Sequence, residues 1–187
     1  MKKKVYSLIL RYLVIFLVGL SNLWIFYKLF TTPTIFLVSK VLGIFSKVYI
    51  LQNIIIYKET IIQIIPACVA GAAYYLLFIL CLSIPNLKLA KRGLILISSF
   101  AILMIINVIR IVFLVLIRSS FYFETVHLIF WYVLSTIFVV LIWILCVRLF
   151  SIKEVPVYSD ILFLISNLNT NYKKSKSKSK SEKRKKP

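Results

Sequence analysis

Charge is missing from most of this chain, and that gap constrains the fold more than any other feature. Residues 60–87 and 125–147 contain no Asp, Glu, Lys or Arg, and residues 93–117 contain a single one, Arg110. A soluble domain in which 61% of 187 residues are hydrophobic and 16% are charged would lack the polar surface that keeps it in solution. Runs of this length match the roughly 20 residues a helix needs to cross the hydrocarbon core of a bilayer. The expected fold is therefore an all-α integral membrane protein with about four transmembrane helices.

The first span is expected from about Leu8 to Phe30, with Arg11 and Lys28 snorkelling toward opposite interfaces and Thr31, Thr32 and Pro33 ending it. From Thr34 to Lys47 the polar positions Ser39, Lys40, Gly43, Ser46 and Lys47 recur at helical spacing. That pattern suits a helix lying in the interface. The stretch Val48 to Ile65 is rich in Ile and Tyr, which favours strands, a short β-hairpin among them, over a fifth span. Pro66 opens the second span, since a proline at a first helical position gives up no hydrogen bond. Spans three and four follow at about Leu94 to Ile117 and Val126 to Val147. The chain thus divides into an N-terminal anchor (1–30), an outward interfacial segment (31–65), a three-helix core (66–150) and a basic tail (151–187). The Lys-Ser alternation from Lys173 onward is low-complexity and is expected to be disordered.

The formal net charge is +19, yet its placement argues against a nucleic-acid partner. Much of it sits in Lys2, Lys3 and Lys4, in the 85–93 loop with Lys88, Lys91 and Arg92, and in the tail, while Lys40, Lys47, Lys58 and Arg118 on the other side are partly offset by Glu59 and Glu124, so no folded basic domain is left to grip a backbone. Basic residues beside apolar runs orient a membrane protein, and here they assign both termini to the cytoplasm of a multi-pass cell-membrane protein. The tail then meets anionic lipids, at about 1 kcal/mol per basic residue near the surface. The first apolar run is longer than a signal h-region and no small-residue cleavage site follows it, so it reads as a retained anchor. Three cysteines, one histidine and no CxxC pair support neither a disulfide framework nor a metal or cofactor.

Against this background three side chains stand out. Cys68 opens span two, Arg110 interrupts span three, and His127, the only histidine, opens span four. With four spans all three come to one depth at the extracytoplasmic side, and Asn107, one turn before Arg110, shares its helix face. A helix N-terminus and a nearby cation favour a thiolate, so Cys68 is placed as a nucleophile. His127 suits a general acid or base, and Arg110 suits an oxyanion stabiliser or a substrate clamp. An Arg within a span costs about 3 kcal/mol or more at the bilayer centre, so it marks a functional position by default. Cys81 and Cys146 have no polar company and read as packing residues.

Ala67-Cys68 with Gly71, Asn107 with Arg110, and then His127 follow in an order and approximate spacing that resemble the exosortase/archaeosortase family of membrane cysteine transpeptidases. The resemblance covers about residues 48–150. One departure is the glycine three positions after Cys68, where many members have it at two; another is the short chain, which looks like a compact, archaeal-type member. The resemblance implies cleavage of exported proteins that end in a sorting motif, an apolar span and a basic cluster. Cleavage would pass through a Cys thioester, with transfer to a membrane-linked acceptor. It further implies Cys68 as nucleophile, Arg110 as oxyanion or substrate clamp and His127 as acid/base, with Asn107 in support. The outward 34–65 segment is placed to hold an extended substrate at the membrane surface. Two other readings stand beside this one: a non-catalytic membrane subunit that uses Asn107 and Arg110 to hold a ligand, and a protease that releases its thioester to water.

Overall fold

A computed structural model describes residues 2–85, 87–130 and 135–152. The basic tail from residue 153 onward, part of the expected fourth span (131–134) and residue 86 lie outside the described residues. In chain order come α1 (Lys2–Leu20), α2 (Trp24–Gly43), β1 (Val48–Leu51), β2 (Ile54–Tyr57), β3 (Thr60–Gln63), α3 (Pro66–Val69), α4 (Gly71–Leu82), α5 (Leu89–Leu116), α6 (Phe123–Ile129) and α7 (Ser135–Leu149). The protein is mostly helical, and α2 and α5 are long and apolar enough to cross a membrane. Their outer faces are apolar too: Ile97, Ile105 and Ile109 on α5 and Trp24, Leu29 and Phe36 on α2 are more than half exposed. An apolar outer face of this extent is the signature of a helix that meets lipid or another apolar surface.

The N-terminal region departs from the sequence expectation. The first helix does not run unbroken from Leu8 to Phe30; it stops at Leu20, and Asn22 and Leu23 take left-handed backbone angles, with φ of 50° and 60°. Asn tolerates that region better than most residues because its short polar side chain bonds locally. Nor do Thr31, Thr32 and Pro33 end a helix, since α2 runs straight through them. An internal proline costs about 3 kcal/mol, but Phe30, Thr34, Ile35, Val38 and Leu42 around and beyond it are all buried, and that packing outweighs the cost. The supposed interfacial helix at 34–47 is for the most part the second half of α2. Its Ser39 hydroxyl is satisfied within the helix, donating to the Ile35 carbonyl at 2.7 Å.

Contacts fix the direction of each helix. Arg11 donates to the carbonyls of Leu82 (3.2 Å) and Ile84 (3.1 Å), and the Tyr75 hydroxyl donates to the Ile15 carbonyl at 2.9 Å, so α1 runs antiparallel to α4. So does α2, which sets Phe26 against Phe78 and Phe30 against Tyr74. The N-terminal pair thus advances in one direction, and α2 does not double back on α1. Helix α5 runs antiparallel to α4, pairing Ser99 with Cys81 and Asn107 with Cys68. Helix α7 packs on both and starts with Thr136 and Val139 beside Arg110. One end of the bundle therefore gathers the start of α1 and the turn before α5. The other gathers the strands, Cys68 and the turn after α5. At the centre the Phe30 ring stacks on Tyr74 at 3.8 Å, and Phe100 meets both edge-on at 5.4 and 5.3 Å.

Arg11 has a structural task where the sequence suggested a snorkelling one. Arg92 bonds the same two carbonyls, at 3.1 Å to Leu82 and 2.6 Å to Ile84, so two cations cap the C-terminal end of α4. Because the acceptors are shared, removing either arginine alone should lower stability by roughly 1 kcal/mol. The Arg11→Ala/Arg92→Ala double variant should lose more than the sum of the two, a coupling that thermal unfolding in detergent will measure.

The 48–65 region forms three strands, one more than a hairpin. Strands β1, β2 and β3 make an antiparallel meander with Tyr49 opposite Ile56 and Ile55 opposite Ile62. Its two-residue turns, Gln52-Asn53 and Lys58-Glu59, carry φ of 52° at Gln52 and 53° at Lys58. Positive φ at the first turn position matches the twist of the flanking strands, although glycine is the usual residue there.

Candidate active site

The site begins at a helix break. The expected second span is divided: α3 is a single turn, Ala70 takes φ 59° and ψ 41°, and α4 starts afresh at Gly71. Cys68 is therefore in a one-turn helix, and its N–H donates to the Ile65 carbonyl at 2.9 Å. So short a helix has little dipole, and the helix-terminus contribution expected for the Cys68 thiol is correspondingly small.

The break also frees the Cys68 carbonyl, which a continuous helix would have tied to the N–H four residues on. Two side chains of α5 take it. Asn107 Nδ2 donates to that carbonyl at 2.8 Å and Arg110 Nη2 at 3.2 Å. Asn107 is almost fully buried and Arg110 is half-buried, and their i, i+3 spacing sets them on one face of α5. The Arg110 Nε has no hydrogen-bond partner among the described residues.

Beside this turn lies a cavity of about 200 Å³. Thr60, Ile61, Ile62 and Ile64 line one wall, Ile111, Leu114 and Val115 another, and Cys68, Arg110, Arg118 and His127 supply polar groups. His127 is carried by α6, where it is exposed and stacks on Phe123 with ring centroids 5.8 Å apart. The sequence expectation set it at the start of the fourth span; in the structure α6 precedes residues 131–134 and rests on α5 through Phe130 and Phe113, 5.7 Å apart. A second cavity, of about 440 Å³, opens on the far side of Ala67 and Arg110, between Gly71, Ala73, Leu76, Thr136 and Val139.

All four residues singled out from the sequence thus lie at one end of the bundle, with Cys68, Arg110 and His127 around one cavity and Asn107 supporting the Cys68 turn. Sequence reasoning did not identify Thr60, Ile61, Ile62 and Ile64 as a wall of that cavity, and the run Thr-Ile-Ile-Gln-Ile-Ile carries no alternation that would have marked them. Gly71 has a geometric role as well. A Cβ there would come within 2.5 Å of the Tyr27 ring, so the glycine lets α2 approach α4 directly behind the site. Gly71→Val should separate the two helices and cost roughly 1–3 kcal/mol by overpacking, read as a lowered unfolding temperature.

Fold and site together define a helical protein with membrane-crossing character and a Cys–Arg–His cavity at one end of its bundle. No protein-family model, no characterised protein and no solved structure matches the chain.

Proposed function

We propose that the chain is a multi-pass membrane cysteine transpeptidase of the exosortase/archaeosortase type, acting on C-terminal sorting signals of exported proteins. One observation carries this reading. Asn107 and Arg110 converge on the carbonyl of Cys68, beside a cavity that Cys68, Arg110 and His127 line together.

On this reading His127 takes the proton of the Cys68 thiol, and the thiolate attacks the carbonyl carbon of the scissile peptide bond. The negative charge that develops on the carbonyl oxygen is met by the Arg110 guanidinium, which keeps N–H groups beyond the one spent on Cys68. As the C–N bond breaks, His127 protonates the departing amine and leaves a thioester on Cys68. An acceptor nucleophile then attacks the thioester, and the Cys68 sulfur leaves as thiolate.

The function needs the site on the side where exported proteins emerge. The first passage, from the basic N-terminus to the strands, is made by α1 and α2 advancing together, and Lys88, Lys91 and Arg92 lie at the other end from Cys68. By the positive-inside rule that basic end is cytoplasmic in a four-passage arrangement, with both termini inside. The test is labelling of single cysteines, introduced in a background lacking Cys68, Cys81 and Cys146, with a membrane-impermeant maleimide. Gln63→Cys should label in intact cells and Lys91→Cys only after permeabilisation. The reverse pattern would turn the cavity to the cytoplasm and remove exported proteins as substrates.

A further inference from the structure

We propose that the open edge of β3 is the docking strand for the substrate, so that an extended peptide segment pairs with the main chain of Ile61 and Gln63 and is led to Cys68. The inference rests on reading the adjoining cavity as an active site, and it specifies how that site takes hold of a polypeptide.

The register decides which main-chain groups are open. The Ile64 N–H donates to the Asn53 carbonyl at 2.9 Å, and Tyr57 faces Thr60 across a two-residue turn. In an antiparallel ladder hydrogen-bonded pairs alternate with non-bonded ones, so Thr60, Ile62 and Ile64 spend their N–H and C=O groups on β2. The groups of Ile61 and Gln63 face the other way. With the sheet order β1-β2-β3, that other side is the free edge, and no described residue pairs with it.

The cavity lies along this edge. Thr60, Ile62 and Ile64 project from one face of β3 and Ile61 from the opposite face, yet all four line the cavity. A space bounded by both faces of a strand runs beside the strand, and the other side of β3 is filled by β2. From Gln63 the chain continues through Ile64, Ile65, Pro66 and Ala67 to Cys68, and Ile61, Ile64 and Cys68 line the same cavity.

This chemistry selects the occupant. A lipid acyl chain would match the apolar walls but offers no donor or acceptor to the main-chain N–H and C=O groups of Ile61 and Gln63, which the exposed edge presents. A peptide in extended form satisfies both, through strand addition. Residues Ile111, Leu114 and Val115 across the cavity favour apolar side chains at alternate positions of that peptide.

The experiment uses the full-length Cys68→Ala protein in lipid nanodiscs, so that no chemistry intervenes, and follows backbone amide exchange. The probe is a degenerate pool of acetylated hexapeptides of Ala, Val, Leu and Thr, which suffices because pairing reads the main chain. Exchange at Ile61 and Gln63 should slow by at least about fivefold, since paired amides exchange only when the pair opens. The same pool with N-methylated amides should have no effect. Gln63→Pro, which removes an outward N–H and leaves the β2 bonds intact, should abolish the protection. No slowing, or equal slowing by the N-methylated pool, would overturn the docking strand. So would protection that needs no peptide and rises with protein concentration, because a second copy would then close the edge. Protection by peptide alongside reporter processing that survives Cys68→Ala would keep the docking strand and discard the catalytic reading.

Discussion

Cys68→Ala should abolish removal of the C-terminal tail from a co-expressed secreted reporter, a loss of at least about 10³-fold, with the protein still inserted and folded. The size of the effect follows from what surrounds the cavity. Among its described lining residues Cys68 has the only thiol and Thr60 the single hydroxyl. Cys81 and Cys146 are buried and belong to the apolar core of the bundle, so neither can stand in. Cys68 itself is half-buried, and loss of its sulfur removes little packing. The unfolding temperature should therefore move by no more than a few degrees. Cys68→Ser should be nearly as inactive, because a hydroxyl gives up its proton far less readily than a thiol and is a much poorer nucleophile in a site built for a thiolate. Processing that persists in either variant would leave the site without its nucleophile.

Arg110→Met should separate function from stability. Arg110 is held at the Cys68 turn by one carbonyl, its Nε is unpartnered, and no described carboxylate neutralises it. A cation kept in that setting costs the fold free energy, and an apolar residue of similar length removes the cost. Asn107 continues to serve the Cys68 carbonyl. The variant should melt at the same temperature or higher, while processing falls by about 10²–10³-fold through loss of charge stabilisation in the transition state. Arg110→Lys keeps the charge but lacks the planar fork, and should recover only a minor part of the rate. A sharp drop in stability instead, with the residual protein fully active, would make Arg110 a structural pin for the helix break and favour the non-catalytic reading.

Much of this arrangement was legible in the sequence because charge is so sparse in it. A lone Arg110 in an apolar run, with Asn107 one turn before it, marks a helix face with a purpose, and the structure aims that face at Cys68. The Ile- and Tyr-rich 48–65 region read as strands, and strands formed. Their number was harder to read: the turns Gln52-Asn53 and Lys58-Glu59 lack the glycine that usually announces positive φ. The same silence hid the break at Ala70, an alanine in a left-handed conformation that no local propensity reveals. Pro33 misled in the opposite direction. It is a strong local signal to stop a helix, overruled by the burial of Phe30, Thr34 and Val38, which is tertiary information. The first helix showed the converse, ending at Leu20 before the left-handed Asn22 and Leu23 within a stretch the hydropathy pattern reads as continuous. His127 was recognisable as the only histidine, but its place on α6 beside Phe123 depends on how the chain turns after α5.

The central claim is that Cys68 carries the substrate's acyl group, and mass spectrometry of the protein trapped during turnover tests it most directly. Acid quenching with a reporter present should yield a species heavier by the mass of the reporter's upstream portion, with the adduct mapped to Cys68. Neutral hydroxylamine should release that portion as a hydroxamate. Reporter processing with no adduct at Cys68, or with one at another residue, would contradict the account.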